Sequence, residues 1–187
     1  MTDDQAKDFV SKGFELGVHV DSGCTKPWTA ITLEGFYNDQ LQAFKNKFPS
    51  LPPQQTHRLH CIANNEWDTQ PLVELKYGIR LDLNYYYWPP EWVNNREGFF
   101  TGSGLPMRYA SWNGPLIDVY QAPTHLTYES FQSDKYKIVI DRLLDRAIGP
   151  DGYCCVLGTH YDYASSESDE FQEAVLNSAL EHHVPLI

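Results

Sequence analysis

Apolar positions along the chain alternate between a spacing near 3.6 residues and a spacing near 2, and each change of spacing predicts an element boundary. From Asp3 to Lys12, Ala6, Phe9 and Val10 share one helical face. Thr2 or Asp3 can cap the start, and Gly13 follows the end. From Thr32 to Phe48 the run Leu33, Phe36, Tyr37, Leu41, Phe44 and Phe48 keeps helical spacing until Pro49, Pro52 and Pro53 stop it. Further helices are expected at Thr69 to Tyr77, at Ser133 to Ile148 with Ile138, Leu143, Leu144 and Ala147 inward, and at Ser166 to His182, capped by Ser166 or Ser168. Runs rich in β-formers lie at Phe14 to Val20, Thr56 to Ile62, Ile79 to Leu83, Tyr153 to Thr159 and Val184 to Ile187. Helical sequence between such strands predicts parallel pairing.

Asn84 to Gln121 breaks this rhythm. It holds Tyr85, Tyr86, Trp88, Trp92, Phe99 and Phe100, and it predicts a long loop with short strands at Pro106 to Ala110 and Leu116 to Tyr120, joined as a hairpin across Asn113 and Gly114. The expected fold class is α/β: a distorted or incomplete (β/α) barrel with parallel strands. Residues 1–187 read as one domain, or as a piece of a larger one, because the chain opens on a helix and stops as a strand begins.

Composition narrows the function classes. With 14 basic and 25 acidic residues the net charge is −11, which argues against binding a phosphate backbone or an anionic membrane surface. No apolar run approaches a membrane span. The polar, acidic N-terminus lacks the form of a signal peptide, so a cytoplasmic location stays open. Of the four cysteines, Cys154 and Cys155 are adjacent within an expected strand, and at least one should be buried. Cys24 and Cys61 each follow an expected strand; they read either as a disulfide, which would imply an exported parent protein, or as two unrelated loop cysteines.

The candidate chemistry sits where expected strands end. His19 and Asp21 alternate, so both can lean to one face as a metal or acid–base pair. His160 and Asp162 repeat that pattern. His57 and His60, three apart on an extended run, point to opposite faces, with Arg58 between them. Asp82 and Asn84 alternate at the next strand end, and an interior Asp82 needs a partner, for which Arg58 or a histidine at the strand ends is the natural candidate. Tyr86, Trp88 and Trp92 are suited to stacking on sugar rings, or to folding down as a lid. No Walker loop, dinucleotide fingerprint, zinc-protease helix or Cys-x-x-Cys pair is present.

In the order of these segments the chain resembles the polysaccharide deacetylase (NodB-homology) superfamily. Leu16 to Asp21 resembles that family's metal-histidine strand and Thr56 to His60 the strand with its groove-wall arginine. Tyr77 to Asp82 resembles the strand whose aspartate pairs with that arginine, and Cys155 to His160 the final strand with its acid histidine. The run Phe100 to Arg108 and its aromatic neighbours resemble a bacterial branch of the same superfamily. The family's strand ending in two aspartates is absent, and Gly23 stands where its second metal histidine is expected. The resemblance implies metal-assisted hydrolysis of an N- or O-acetyl group on a polysaccharide. It places His160, Arg58, Asp82 and Asp162 in the catalytic machinery. His19, with Asp21 and His57 standing in for the missing donors, would hold a divalent ion, expected to be Zn²⁺. Tyr86, Trp88, Trp92, Asn84 and His60 would contact the sugar. An inactive carbohydrate-binding or cell-surface domain of the same fold is the alternative.

Overall fold

A computed structural model describes residues 1–24, 28–61, 66–86, 103–128, 133–158 and 165–186, with the side chains of Tyr86 and Ser133 left aside. Its elements, in order, are α1 (Asp3–Ser11), α2 (Ala30–Lys47), β1 (Thr56–His57), α3 (Thr69–Lys76), β2 (Leu81–Tyr86), β3 (Met107–Ala110), β4 (Leu116–Thr124), α4 (Tyr136–Ile148) and α5 (Ser166–Glu181). The chain is α/β, as expected. The strands lie in one sheet in the order β1-β2-β4-β3. β1 and β2 are parallel, with Thr56 opposite Leu81 and His57 opposite Asp82. β3 and β4 form the expected hairpin and are antiparallel. The sheet is therefore mixed, and the described strands do not close into a barrel.

Chain contacts define two compact units. The first is Met1–Tyr85 with Pro106–Ala122, and the second is Tyr86–Leu105 with Pro123–Ile187. The hairpin of the stretch from 84 to 121 belongs to the first unit. In that unit, α1 starts on a capping box in which the Thr2 hydroxyl accepts from Gln5 N and the Gln5 side chain accepts from Thr2 N. α2 starts earlier than expected, because Thr29 caps it. Val20, Trp28, Leu33, Tyr37, Leu59, Val73 and Ile79 form the main core, and Ala6, Phe48 and Leu51 form a smaller one. Complete burial of a Leu or Ile of this kind contributes about 1.5–3 kcal/mol.

Two expected strands of the first unit are cut short by side chains that take their ladder groups. Phe14 to Val20 is not a strand. Gln54 Oε1 accepts from Val18 N at 2.7 Å and Gln54 Nε2 donates to Val18 O, while Glu15 accepts from Gln55 N and Thr56 N. Backbone pairing begins only where His60 N donates to Val20 O, beside the parallel bridge Asp21–His60. β1 ends at His57 because Leu59 N donates to the Asn84 side chain at 2.6 Å; Ile62 lies outside the described residues.

In the second unit Leu126, Tyr136, Val139, Ile140, Leu143 and Phe171 form the core, and Tyr136 and Phe171 meet edge to face. Ile138, expected inward, is exposed, since α4 turns Val139 and Ile140 to the core instead. α5 is capped by Ser165, one residue before Ser166 and three before Ser168, the two expected caps. The expected strand from Tyr153 is an extended segment with a single bridge, Leu126–Gly158, because Leu157 N donates to the His125 ring and Cys154 adopts a left-handed φ of 73°. The described residues after α5 form no strand, since Val184 N turns back to Ala179 O at the helix end.

Candidate functional site

The first unit gathers most of the expected site residues, but into two separate groups on opposite sides of one strand. His57 and Asp82 are registered partners on neighbouring parallel strands, and both are buried. Side chains alternate along a strand, so the next residue, Arg58, points away from Asp82. No ion pair joins Arg58 to Asp82 among the described residues. Asp82 instead accepts from Tyr109 Oη at 2.8 Å and from Asn84 N, and it lies against Glu74. In place of the expected Arg58–Asp82 charge pair, Asp82 has interior hydrogen-bond partners.

A neighbouring set of bonds centres on Glu74, against which Asp82 lies. Glu74 Oε1 accepts from Gln70 Nε2 at 2.9 Å and from Tyr37 Oη at 3.2 Å, and it faces His57 Nδ1 at 3.0 Å. Tyr37 Oη also lies 2.9 Å from His57 Nδ1. Gln121 Nε2 donates to Tyr109 Oη at 2.9 Å. Burial governs the charge states. It raises the Asp82 carboxyl well above its ordinary range, helped by the adjacent Glu74, and pushes Glu74 up to about 7. It also pulls His57 down to about 4, so the imidazole is neutral at neutral pH. Asn84, expected to touch a sugar, spends its side-chain oxygen on Leu59 N and is buried. Sequence reasoning missed Glu74, Gln70, Tyr37 and Tyr109. A readable signal did exist for the first two, because Gln70 and Glu74 share the inward face of α3 with Val73.

The second group lies at the edge where the segment 14–21 meets β1. His19 donates from Nδ1 to Arg58 O at 2.6 Å, and its ring meets that of His60 edge to face at 5.3 Å. Burial lowers the His19 pKa, against the raising effect of the Arg58 carbonyl. Gln40 clamps the Asp21 backbone, accepting from Asp21 N at 2.9 Å and donating to Asp21 O at 2.8 Å. The Asp21 carboxylate accepts from Gly23 N at 2.7 Å and closes a turn. Cys24 and Cys61 are disulfide-bonded, with their Cα atoms 5.1 Å apart.

These positions do not assemble the implied ion-binding set. His19, whose Nδ1–H is oriented by the Arg58 carbonyl, keeps Nε2 for a ligand, but His57 turns inward to Glu74 and Tyr37 and the Asp21 carboxylate closes its own turn. Among the described residues, the one donor trio within 4.8 Å is Cys24, His60 and Cys61. Two of its sulfurs are committed to the disulfide, and a disulfide sulfur is not a thiolate ligand. The donors present therefore do not fit a divalent ion held by His19, Asp21 and His57. His160, Asp162, Trp88 and Trp92 lie outside the described residues; Tyr86 continues β2 by its backbone.

The same unit presents aromatic surface elsewhere. Trp67 and Trp112 are 65% and 82% exposed. They sit on two loops tied together by Asp68, which accepts from Ser111 Oγ at 2.7 Å and from Trp112 N at 3.0 Å, while Trp67 Nε1 donates to Ala110 O at 2.8 Å. Those bonds hold the Asp68 carboxyl below its ordinary value. A concavity of about 370 Å³ beside α2 is lined by Leu41, Phe44, Phe48 and Tyr77 among others, and it contains none of the expected site residues. No helix among the described residues is long and apolar enough to cross a membrane. Compared with protein-family models, with curated proteins and with solved structures, the chain matches none of them.

Proposed function

We propose that this chain is a carbohydrate-binding domain that takes neutral polysaccharide on the surface bearing Trp67 and Trp112. The observation that carries this reading is the pair of exposed indoles held on loops braced by Asp68. Faces of sugar rings lined with C–H bonds pack on aromatic faces, and an indole already fixed in place loses little conformational freedom on binding. The net charge of −11 favours a neutral ligand over a phosphate-bearing one. The Cys24–Cys61 disulfide fits a parent protein that works in an oxidising compartment, at a cell surface or outside it. Affinity electrophoresis through gels containing a neutral polysaccharide tests this: the parent is retarded, and Trp112→Ala migrates as it does in the empty gel. Equal migration of the parent with and without polysaccharide would overturn the reading.

A second reading is supported by the contact of His19 and His60 at one edge. In it the chain is a metal-dependent deacetylase-like hydrolase of N- or O-acetylated glycans, an expectation that rests on the resemblance of its segments to that superfamily. Acetate release from acetylated oligosaccharides that depends on added Zn²⁺ and is lost in His19→Ala would favour the hydrolase over the binding domain.

A further inference from the structure

Cys154 and Cys155 are adjacent in the second unit, and neither is the buried small hydrophobe that their sequence context suggests; both are exposed. Their sulfurs lie 2.7 Å apart. That is inside non-bonded contact and less than ~1 Å beyond a disulfide bond. Two features hold them so. Cys154 sits at a φ of 73°, a conformation a residue with a side chain keeps only when its surroundings impose it. Behind it, Gly104 N donates to Tyr153 O at 2.8 Å and the Cys155 thiol donates to Gly104 O at 3.3 Å. A Cβ at position 104 would lie 1.7 Å from the Cys155 carbonyl oxygen, so only glycine allows this approach.

We propose that Cys154 and Cys155 form a redox-active vicinal dithiol that closes reversibly to a disulfide with low-molecular-weight disulfides as oxidant. One cysteine thiolate attacks a sulfur of the reagent disulfide, forms a mixed disulfide and expels one reagent thiolate. The neighbouring thiolate then attacks the protein sulfur of that mixed disulfide, forms the Cys154–Cys155 bond and expels the second reagent thiolate. Two protein S–H bonds become one S–S bond, two protons pass to solvent or to the released thiolates, and two electrons reduce the reagent.

Closure is reversible for a covalent reason. Neighbouring Cα atoms across a trans peptide are ~3.8 Å apart, below the ~4.4–6.8 Å of ordinary disulfides, so the bond is strained and readily reduced. The Cys24–Cys61 bridge, at 5.1 Å, falls within that range. Ring closure also removes the S–H that Cys155 donates to Gly104 O, so oxidation releases one pin of the 103–105 segment.

The experiment equilibrates the full chain over a series of glutathione disulfide to glutathione ratios, quenches with acid, alkylates free thiols and maps peptides by mass spectrometry. At oxidising ratios the peptide holding Cys154 and Cys155 is expected to lose two hydrogens and to take neither alkylating reagent nor glutathione. At reducing ratios that leave Cys24–Cys61 intact it is expected to return to the doubly alkylated form. Cys154→Ser and Cys155→Ser should each stop at one bound glutathione. Double alkylation of the parent peptide at every ratio, or two glutathiones on it, would overturn the proposal. Both readouts use the parent protein and do not depend on the variants folding.

Discussion

Glu74→Gln isolates what the buried carboxyl contributes to folding. Glu74 is fully buried, and its pKa is pushed from 4.5 up to about 7, chiefly by loss of solvation. Between these values the folded chain keeps a proton that the unfolded chain has already released. Stability from this group is therefore full below pH 4.5 and falls as pH rises towards 7. Glutamine keeps an oxygen for Gln70 and Tyr37 and places an amide donor against Asp82 in place of a second ionisable carboxyl. The variant should thus gain on the parent by about 2–3 kcal/mol between roughly pH 5 and pH 8. His57 works in the opposite sense. Its pKa falls to about 4, so its contribution is lost as pH drops below 6.5 and returns as pH rises, the reverse of the Glu74 dependence. Urea titrations of parent and variant across this range provide the measurement. A stability difference that stays constant with pH, or that moves against the variant at pH 8, would refute a carboxyl held protonated by burial.

Other consequences can be checked separately. Cys24→Ser with Cys61→Ser removes a crosslink spanning 37 residues and should cost about 3–4 kcal/mol in chemical denaturation. Gln54→Ala strips Val18 N, Val18 O and Thr56 O of their partner and should cost about 2–3 kcal/mol, read as a lowered melting temperature. Gly17→Ala should act in the same direction, because its Cβ would meet the Gln54 side chain at 2.8 Å.

The helices were legible because spacing and caps act locally: Thr2, Gly13 and the prolines after Phe48 mark their ends without reference to the rest of the chain. The hairpin was legible for the same reason, through Asn113 and Gly114. Strand extents were not, because they depend on side chains far away in sequence. Gln54 takes the ladder groups of Val18, and Asn84 takes Leu59 N, where a propensity reading expects backbone partners. The candidate site failed on the same point. Arg58 and Asp82 look like charge partners until the register sets Asp82 beside His57, and the alternation of the strand then separates them. Trp67 and Trp112 went unnoticed because their exposure depends on a loop-to-hairpin contact through Asp68. Of the long-range pairings raised from sequence, Cys24 with Cys61 is formed.

The central claim is most directly tested by calorimetric titration of chelator-treated protein with neutral oligosaccharides, run in parallel on Trp67→Ala and Trp112→Ala. Saturable binding that survives chelation and weakens at least about tenfold in Trp112→Ala, a loss of about 1.4 kcal/mol, is the predicted result. Binding that needs an added divalent ion, disappears in His19→Ala and is indifferent to Trp112 would contradict it.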